Sequence, residues 1–183
     1  MIATLKKLHN YWSEKKKRRP FPARDDLDPI DFHYALGDVS LIDVDQPESC
    51  QSPVYKIRLL GSNIQERIGG SYTNRNLEEF PEAGSLRKMR IAYQEVLKTK
   101  EPLAYTSCFK TGEKKQPFMC CIWPLSSDGE KINMLLCCRE HIVNCSLLAD
   151  QTAQFSASKT WPYREWSNSP LFSSLTQNNQ LIS

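Results

Sequence analysis

Residues 116–125 and 131–139 are apolar on both alternating faces, and this constrains the fold more than any other feature of the chain. Successive side chains of a strand point to opposite sides. Phe118, Cys120 and Ile122 alternate with Met119, Cys121 and Trp123, while Met134 and Leu136 alternate with Leu135 and Cys137. An antiparallel sheet with one wet face shows apolar–polar alternation instead. These runs therefore predict a sheet covered on both sides. Helices in the middle of the chain can supply one cover. An N-terminal amphipathic helix, the C-terminal tail or a second copy must supply the other.

The remaining elements follow from periodicity and punctuation. Leu5, Leu8 and Trp12 share one helical face, and the helix runs into the five-charge stretch Lys15, Lys16, Lys17, Arg18, Arg19 before Pro20 and Pro22. Asp28 followed by Pro29 marks a second helix start, closed by Gly37. Val39–Val44 and Val54–Leu60 read as strands joined by a polar, proline-containing link. Gly61 precedes Ser62-Asn63-Ile64-Gln65, which predicts a capping box with Ser62 as N-cap. A long helix is predicted over about 85–100, with Leu86, Met89, Tyr93, Val96 and Leu97 on one face and Pro102 beyond it. Strands over 103–109, 116–125 and 131–139 complete the domain. Asp128-Gly129 predicts a two-residue hairpin turn that sets Cys120 opposite Cys137. The order is that of an α+β fold, an antiparallel sheet with its helices grouped in the middle.

Three segments follow: 1–23, an amphipathic helix and basic linker; 24–145, the folded domain; and 146–183, a tail rich in Ser, Thr, Gln and Asn that is expected to be poorly ordered and to dock, if at all, through Phe155, Trp161, Tyr163 and Trp166. No run approaches the roughly 18 apolar residues of a membrane span, and no signal-peptide core is visible, so a cytoplasmic location is expected. The seven cysteines are an odd number, and six of them lie between residues 108 and 145, mostly in apolar runs. They read as reduced core thiols.

The order of elements and several phrases resemble a PAS domain, specifically the short bacterial stand-alone PAS-fold type. The phrases are Pro20-Phe21-Pro22-Ala23-Arg24 before Leu27-Asp28-Pro29, then Arg58-Leu59-Leu60-Gly61-Ser62, Glu101-Pro102 after the long helix, and Pro124-Leu125-Ser126-Ser127-Asp128-Gly129. The resemblance covers roughly residues 18–141. It implies a PAS-like five-stranded antiparallel sheet with central helices and, here, an N-terminal helical cap. It also implies sensing of a small molecule, or binding of a partner protein or a second copy. Where the family pattern has Thr-Gly-Arg/Lys, this chain has Thr73-Asn74-Arg75; asparagine tolerates left-handed backbone geometry better than most residues.

Candidate chemistry is sparse. His9, His33 and His141 follow no metal or catalytic motif, and no Cys-x-x-Cys spacing supports zinc. The long helix has no histidine for haem, and no Asn-Cys-Arg-type phrase between Ser62 and Phe80 supports a covalent flavin, so both cofactors are disfavoured. A pocket under the long helix would be lined by Met89, Tyr93, Tyr105 and Cys120. Arg24, Asp28, Gly61, Ser62 and Asn74 read as structural, with Arg24 paired to Asp28 or a neighbouring carboxylate. The expected function is non-enzymatic regulation through a partner protein, with a small-molecule ligand and homodimerisation as further options. The alternative is a nucleic-acid or anionic-surface adaptor using Lys15 to Arg19. The net charge of +3 gives that alternative little support, and no nucleic-acid-reading motif is present.

Overall fold

A computed structural model describes residues 3–47, 52–80, 83–111, 114–141 and 160–162. Six antiparallel strands form one sheet: β1 (Val39–Asp45), β2 (Val54–Leu60), β3 (Leu103–Thr111), β4 (Lys114–Leu125), β5 (Met134–His141) and β6 (Thr160–Pro162), in the order β2-β1-β5-β4-β3-β6. The five-stranded antiparallel sheet expected from the sequence is thus present, with the short β6 added at the β3 edge. Helices α1 (Ala3–Lys16), α2 (Ser62–Ile68) and α3 (Ala83–Thr99) pack around it. Short 3₁₀ turns occupy Arg24–Asp26, Pro29–Asp38 and Leu77–Glu79.

Position in the sheet explains the two kinds of strand. β5 lies between β1 and β4 and is buried along both faces from Met134 to Glu140. β2 lies at an edge, so Lys56, Arg58 and Leu59 reach water while Tyr55, Ile57 and Leu60 point inward. One face of the sheet meets α3 through Met89, Tyr93 and Val96; the other meets α1 through Leu5, Leu8 and Trp12. Burying each of those large side chains contributes about 1.5–3 kcal/mol. The outer cover is therefore α1 of the same chain. Its seat is fixed by two indoles: Trp12 Nε1–H donates to the Pro124 carbonyl at 2.9 Å, and Trp123 Nε1–H donates to His9 Nδ1 at 3.0 Å.

Several local expectations are corrected. Helix α1 continues past Trp12 and includes Lys15 and Lys16; it stops where Lys17 turns to φ 53°. Gly61, rather than Ser62, is the N-cap of α2, with its carbonyl accepting from Ile64 and Gln65. Gln65 does reach back, but its Nε2 donates to the Leu60 carbonyl at 2.7 Å. The segment after Asp28 is 3₁₀ with a kink at Phe32, although Asp28 does cap it, accepting from the Ile30 amide at 2.9 Å.

The largest correction concerns β4 and β5. Their connection spans residues 126–133, not two residues, because the Asp128 carboxylate accepts from the amides of Glu130 and Lys131 and from Ser126 Oγ at 2.8–2.9 Å. That local network builds a wider loop around Gly129, at φ 81°. Cys120 consequently faces Arg139, Cys121 faces Cys138, and Ile122 faces Cys137. The slip is two residues, so every side chain keeps its face while its partner changes.

Candidate functional site

The face of the sheet under α3 carries a cluster of buried polar groups centred on Arg139. The strand alternation puts Cys120 of β4 and Cys137 and Arg139 of β5 on this face, and Tyr105 of β3 lies directly opposite Cys120. From above, α3 lowers Met89 and Tyr93, one turn apart, onto the same residues. Arg139 Nη2 points at Met89 Sδ, 3.6 Å away, and the Cys137 thiol lies 3.8 Å from the Tyr93 hydroxyl. Tyr93 in turn packs edge-on against Tyr55 of β2, with ring centroids 5.3 Å apart. Ser40 of β1, opposite Cys137, extends the polar line across the sheet.

Met89, Tyr93, Tyr105 and Cys120, the pocket candidates read from the sequence, are thus brought together. Arg139, Cys137, Tyr55 and Ser40 escaped that reading. Their one legible signal was a charged residue, Arg139, closing an otherwise apolar strand, and it reads more simply as the strand's end.

Burial dominates the electrostatics. Arg139 is 3% exposed. Burial pushes the Tyr93 and Tyr105 hydroxyls and the Cys137 thiol well above their usual values, so all three are neutral near pH 7. Cys120 differs: burial raises it, but a hydrogen bond from Cys137, the Arg139 charge and the Tyr105 hydroxyl outweigh burial and bring it below the ordinary thiol range. Burial likewise opposes the charge on Arg139, while Cys120 in its ionised form would favour it, and a guanidinium stays protonated in a protein. Four atoms here are buried without a protein hydrogen-bond partner of ordinary geometry: Ser40 Oγ, Tyr55 Oη, Tyr105 Oη and Arg139 Nη1. A buried polar group without a partner costs about 1–3 kcal/mol, so their convergence on one face is the outstanding chemical feature of the molecule.

The other sequence candidates lie elsewhere. Arg24 Nη1 donates to the Leu27 carbonyl at 2.9 Å, which replaces the expected carboxylate pairing. Asn74 takes φ 66°, and its amide reaches the Ile57 carbonyl at 2.6 Å. Gly61 lies against the backbone of Leu36 and Gly37, where a Cβ would meet carbonyl oxygens at 2.4 and 2.3 Å. The basic run is divided by local contacts. Lys15 pairs with Asp31 at 3.2 Å and Arg19 with Asp26 at 2.5 Å, while Lys15 and Lys16 lie over the Tyr11 and Trp12 rings. Lys17 and Arg18 are exposed. A surface groove of about 480 Å³ at the far end of β1 and β2 is lined by residues of both charges, among them Asp43, Asp45, Lys56 and Arg58. Cys50, Cys145 and all of the tail except 160–162 lie outside the described residues, as does the Cys108 side chain. Among the described residues, no helix is long and apolar enough to cross a membrane.

No curated protein matches the chain. Among solved structures, the PAS domain of BvgS from Bordetella pertussis is similar at 11% identity and a TM-score of 0.47, over 67% of this chain and 89% of that one. The LOV protein of Rhodobacter sphaeroides is similar at 11% identity and a TM-score of 0.45, over 67% of this chain and 68% of that one. The PAS domain family itself matches residues 1–138 of the 183, a span running from α1 into the last central strand. With 138 of its 183 residues matched, the chain belongs to the PAS domain family.

Proposed function

We propose that this chain is a non-enzymatic sensory module that passes the state of its interior site to a partner protein. PAS domains are generally sensory, non-catalytic modules. The observation that carries the reading is the line of buried, unpartnered polar atoms between the sheet and α3. Such groups make sense in a fold that receives a polar small molecule there, since the ligand supplies the missing partners. The ligand would press on α3 and β5, and β5 also carries α1 on its other face. A change inside is thereby coupled to a helix at the surface. The outer sheet face is already covered by α1, so this reading calls on no second copy to cover it. The four free core thiols Cys120, Cys121, Cys137 and Cys138 support a reducing, cytoplasmic setting.

Intact mass under native and denaturing conditions tests the reading, followed by amide hydrogen exchange with and without the released molecule. A native mass excess lost on denaturation, together with slowed exchange in α3 and altered exchange in α1, is expected. A bare native mass, with exchange unmoved by a small-molecule extract of the host, would sink it.

A further inference from the structure

We propose that Arg139 anchors an interior binding site for a small monocarboxylate, a site that rests on the sensory reading given above. A guanidinium stays charged in a protein, and this one is 3% exposed in an apolar interior. Burying an unpaired charge costs several kcal/mol, so buried cations normally face an anion. Here none is found. Among the described residues no carboxylate lies within ion-pair distance of Arg139, its Nη2 meets only the weak acceptor Met89 Sδ, and its Nη1 has no acceptor.

The chemistry of the missing partner follows from its surroundings. One fixed positive charge calls for one negative charge. The planar fork of guanidinium N–H groups matches a carboxylate in a two-bond pairing that a spherical ion cannot make. The Tyr105 hydroxyl, beside Cys120 and Arg139, is a neutral donor that can complete the oxygen shell, and Ser40 Oγ, across from Cys137, can meet a polar group further along the ligand. The remaining contacts are apolar or aromatic, from Met89, Tyr93 and Ile122, so the body of the ligand is apolar. A doubly charged phosphate would leave one charge uncompensated in this setting. The competing arrangement is internal: ionised Cys120, directly across from Arg139, would serve as its counter-ion and leave no room for an outside anion.

The test uses the full chain at pH 7.5 and a panel of monocarboxylates from acetate to decanoate, with benzoate and phenylacetate, each against its neutral amide. Thermal melting is the readout. Members of the panel are expected to raise Tm saturably while their amides do not. Arg139→Met is expected to fold with an unliganded Tm at or above that of the parent, because an apolar side chain removes the uncompensated charge. It is also expected to lose the carboxylate response. If Arg139→Met does not fold, Arg139→Lys keeps the charge but loses the fork, and carboxylate affinity should then fall about tenfold or more; unchanged affinity overturns the site. So does a full response in Arg139→Met, or a panel without any response. Thiolate absorbance near neutral pH that disappears in Cys120→Ala, with no carboxylate response, identifies Cys120 as the counter-ion and also overturns it. Amides that act as well as acids remove the charge requirement but leave the sensory reading standing. A silent panel beside a native mass excess does the same, and a silent panel with a bare native mass removes both.

Discussion

The carboxylate of Glu140 accepts the backbone N–H of Leu5 at 3.3 Å, so the last central strand holds the first turn of the N-terminal helix. Glu140 is buried, and burial, only partly offset by the Leu5 hydrogen bond, pushes its pKa up to about 7. A carboxylate whose pKa is raised in the folded state stabilises the fold fully below its unfolded value and loses that contribution as pH rises through the folded one. Glu140 therefore tilts stability downward from about pH 4.5 to about pH 7. Glu140→Gln keeps an acceptor for Leu5 without the charge. It should be more stable than the parent at pH 8 by about 1–3 kcal/mol and no more stable at pH 4. Urea unfolding at the two pH values measures this; an equal effect at both would show that the carboxyl does not titrate in this range.

His9 opposes that tilt. It accepts the Trp123 indole N–H at Nδ1, which a protonated imidazole cannot do, and burial lowers its pKa to about 4. Its contribution is present above its unfolded pKa of about 6.5 and is lost as pH falls toward 4. The two slopes overlap with opposite signs, so the contributions of His9 and Glu140 largely offset each other between about pH 4.5 and 6.5. Removing one group exposes the other. Glu140→Gln should grow more stable with rising pH across that window, and His9→Asn should grow less stable. Parallel pH profiles for the two variants would contradict the pairing.

How much of this was legible in the sequence depends on the range of the cause. The sheet, its two covers and the face assignments follow from alternation, which survives an error in loop length. Cys120 and Tyr105 fall on the α3 side for that reason, and Met89 and Tyr93 on the sheet-facing side of α3 by helical spacing. The pairing of Cys120 with Arg139 depends instead on how Asp128 folds its own loop, a side-chain effect that makes eight residues do what Asp128-Gly129 suggests two would do. Alternation puts Arg139 on the α3 face in either register, but only the register found here sets it opposite Cys120. Gly61 as N-cap was hidden for a similar reason: its backbone packs on Gly37, distant in sequence.

That packing makes two neighbouring glycines unequal. Gly61→Ala would drive a Cβ to 2.3 Å from the Gly37 carbonyl oxygen, an atom fixed in the backbone. Gly37→Ala would meet the Asn63 amide at 2.6 Å, the end of a side chain that can turn away. Gly61→Ala should cost about 3 kcal/mol or more, and Gly37→Ala about 1 or less. Chemical denaturation compares them; equal losses would mean that the Gly61–Gly37 contact yields easily.

The register also dictates which thiols can meet. Cys121 and Cys138 are direct partners on the face under α1, where opposed Cα atoms lie about 4.5–5.5 Å apart, within disulfide reach. Cys120 and Cys137 are diagonal neighbours, for which about 7–8 Å is usual and too long without backbone movement. All four are fully buried, and burial pushes the Cys121, Cys137 and Cys138 thiols well up, so a thiol reagent should label none of the four in minutes at pH 8. Labelling should instead follow the rate of unfolding. Oxidation at denaturant concentrations that open α1 but leave the sheet paired should then yield the Cys121–Cys138 link, read by peptide mass mapping. A dominant Cys120–Cys137 link would contradict the preference for directly opposed thiols and would mean that β4 and β5 shift enough to close that diagonal.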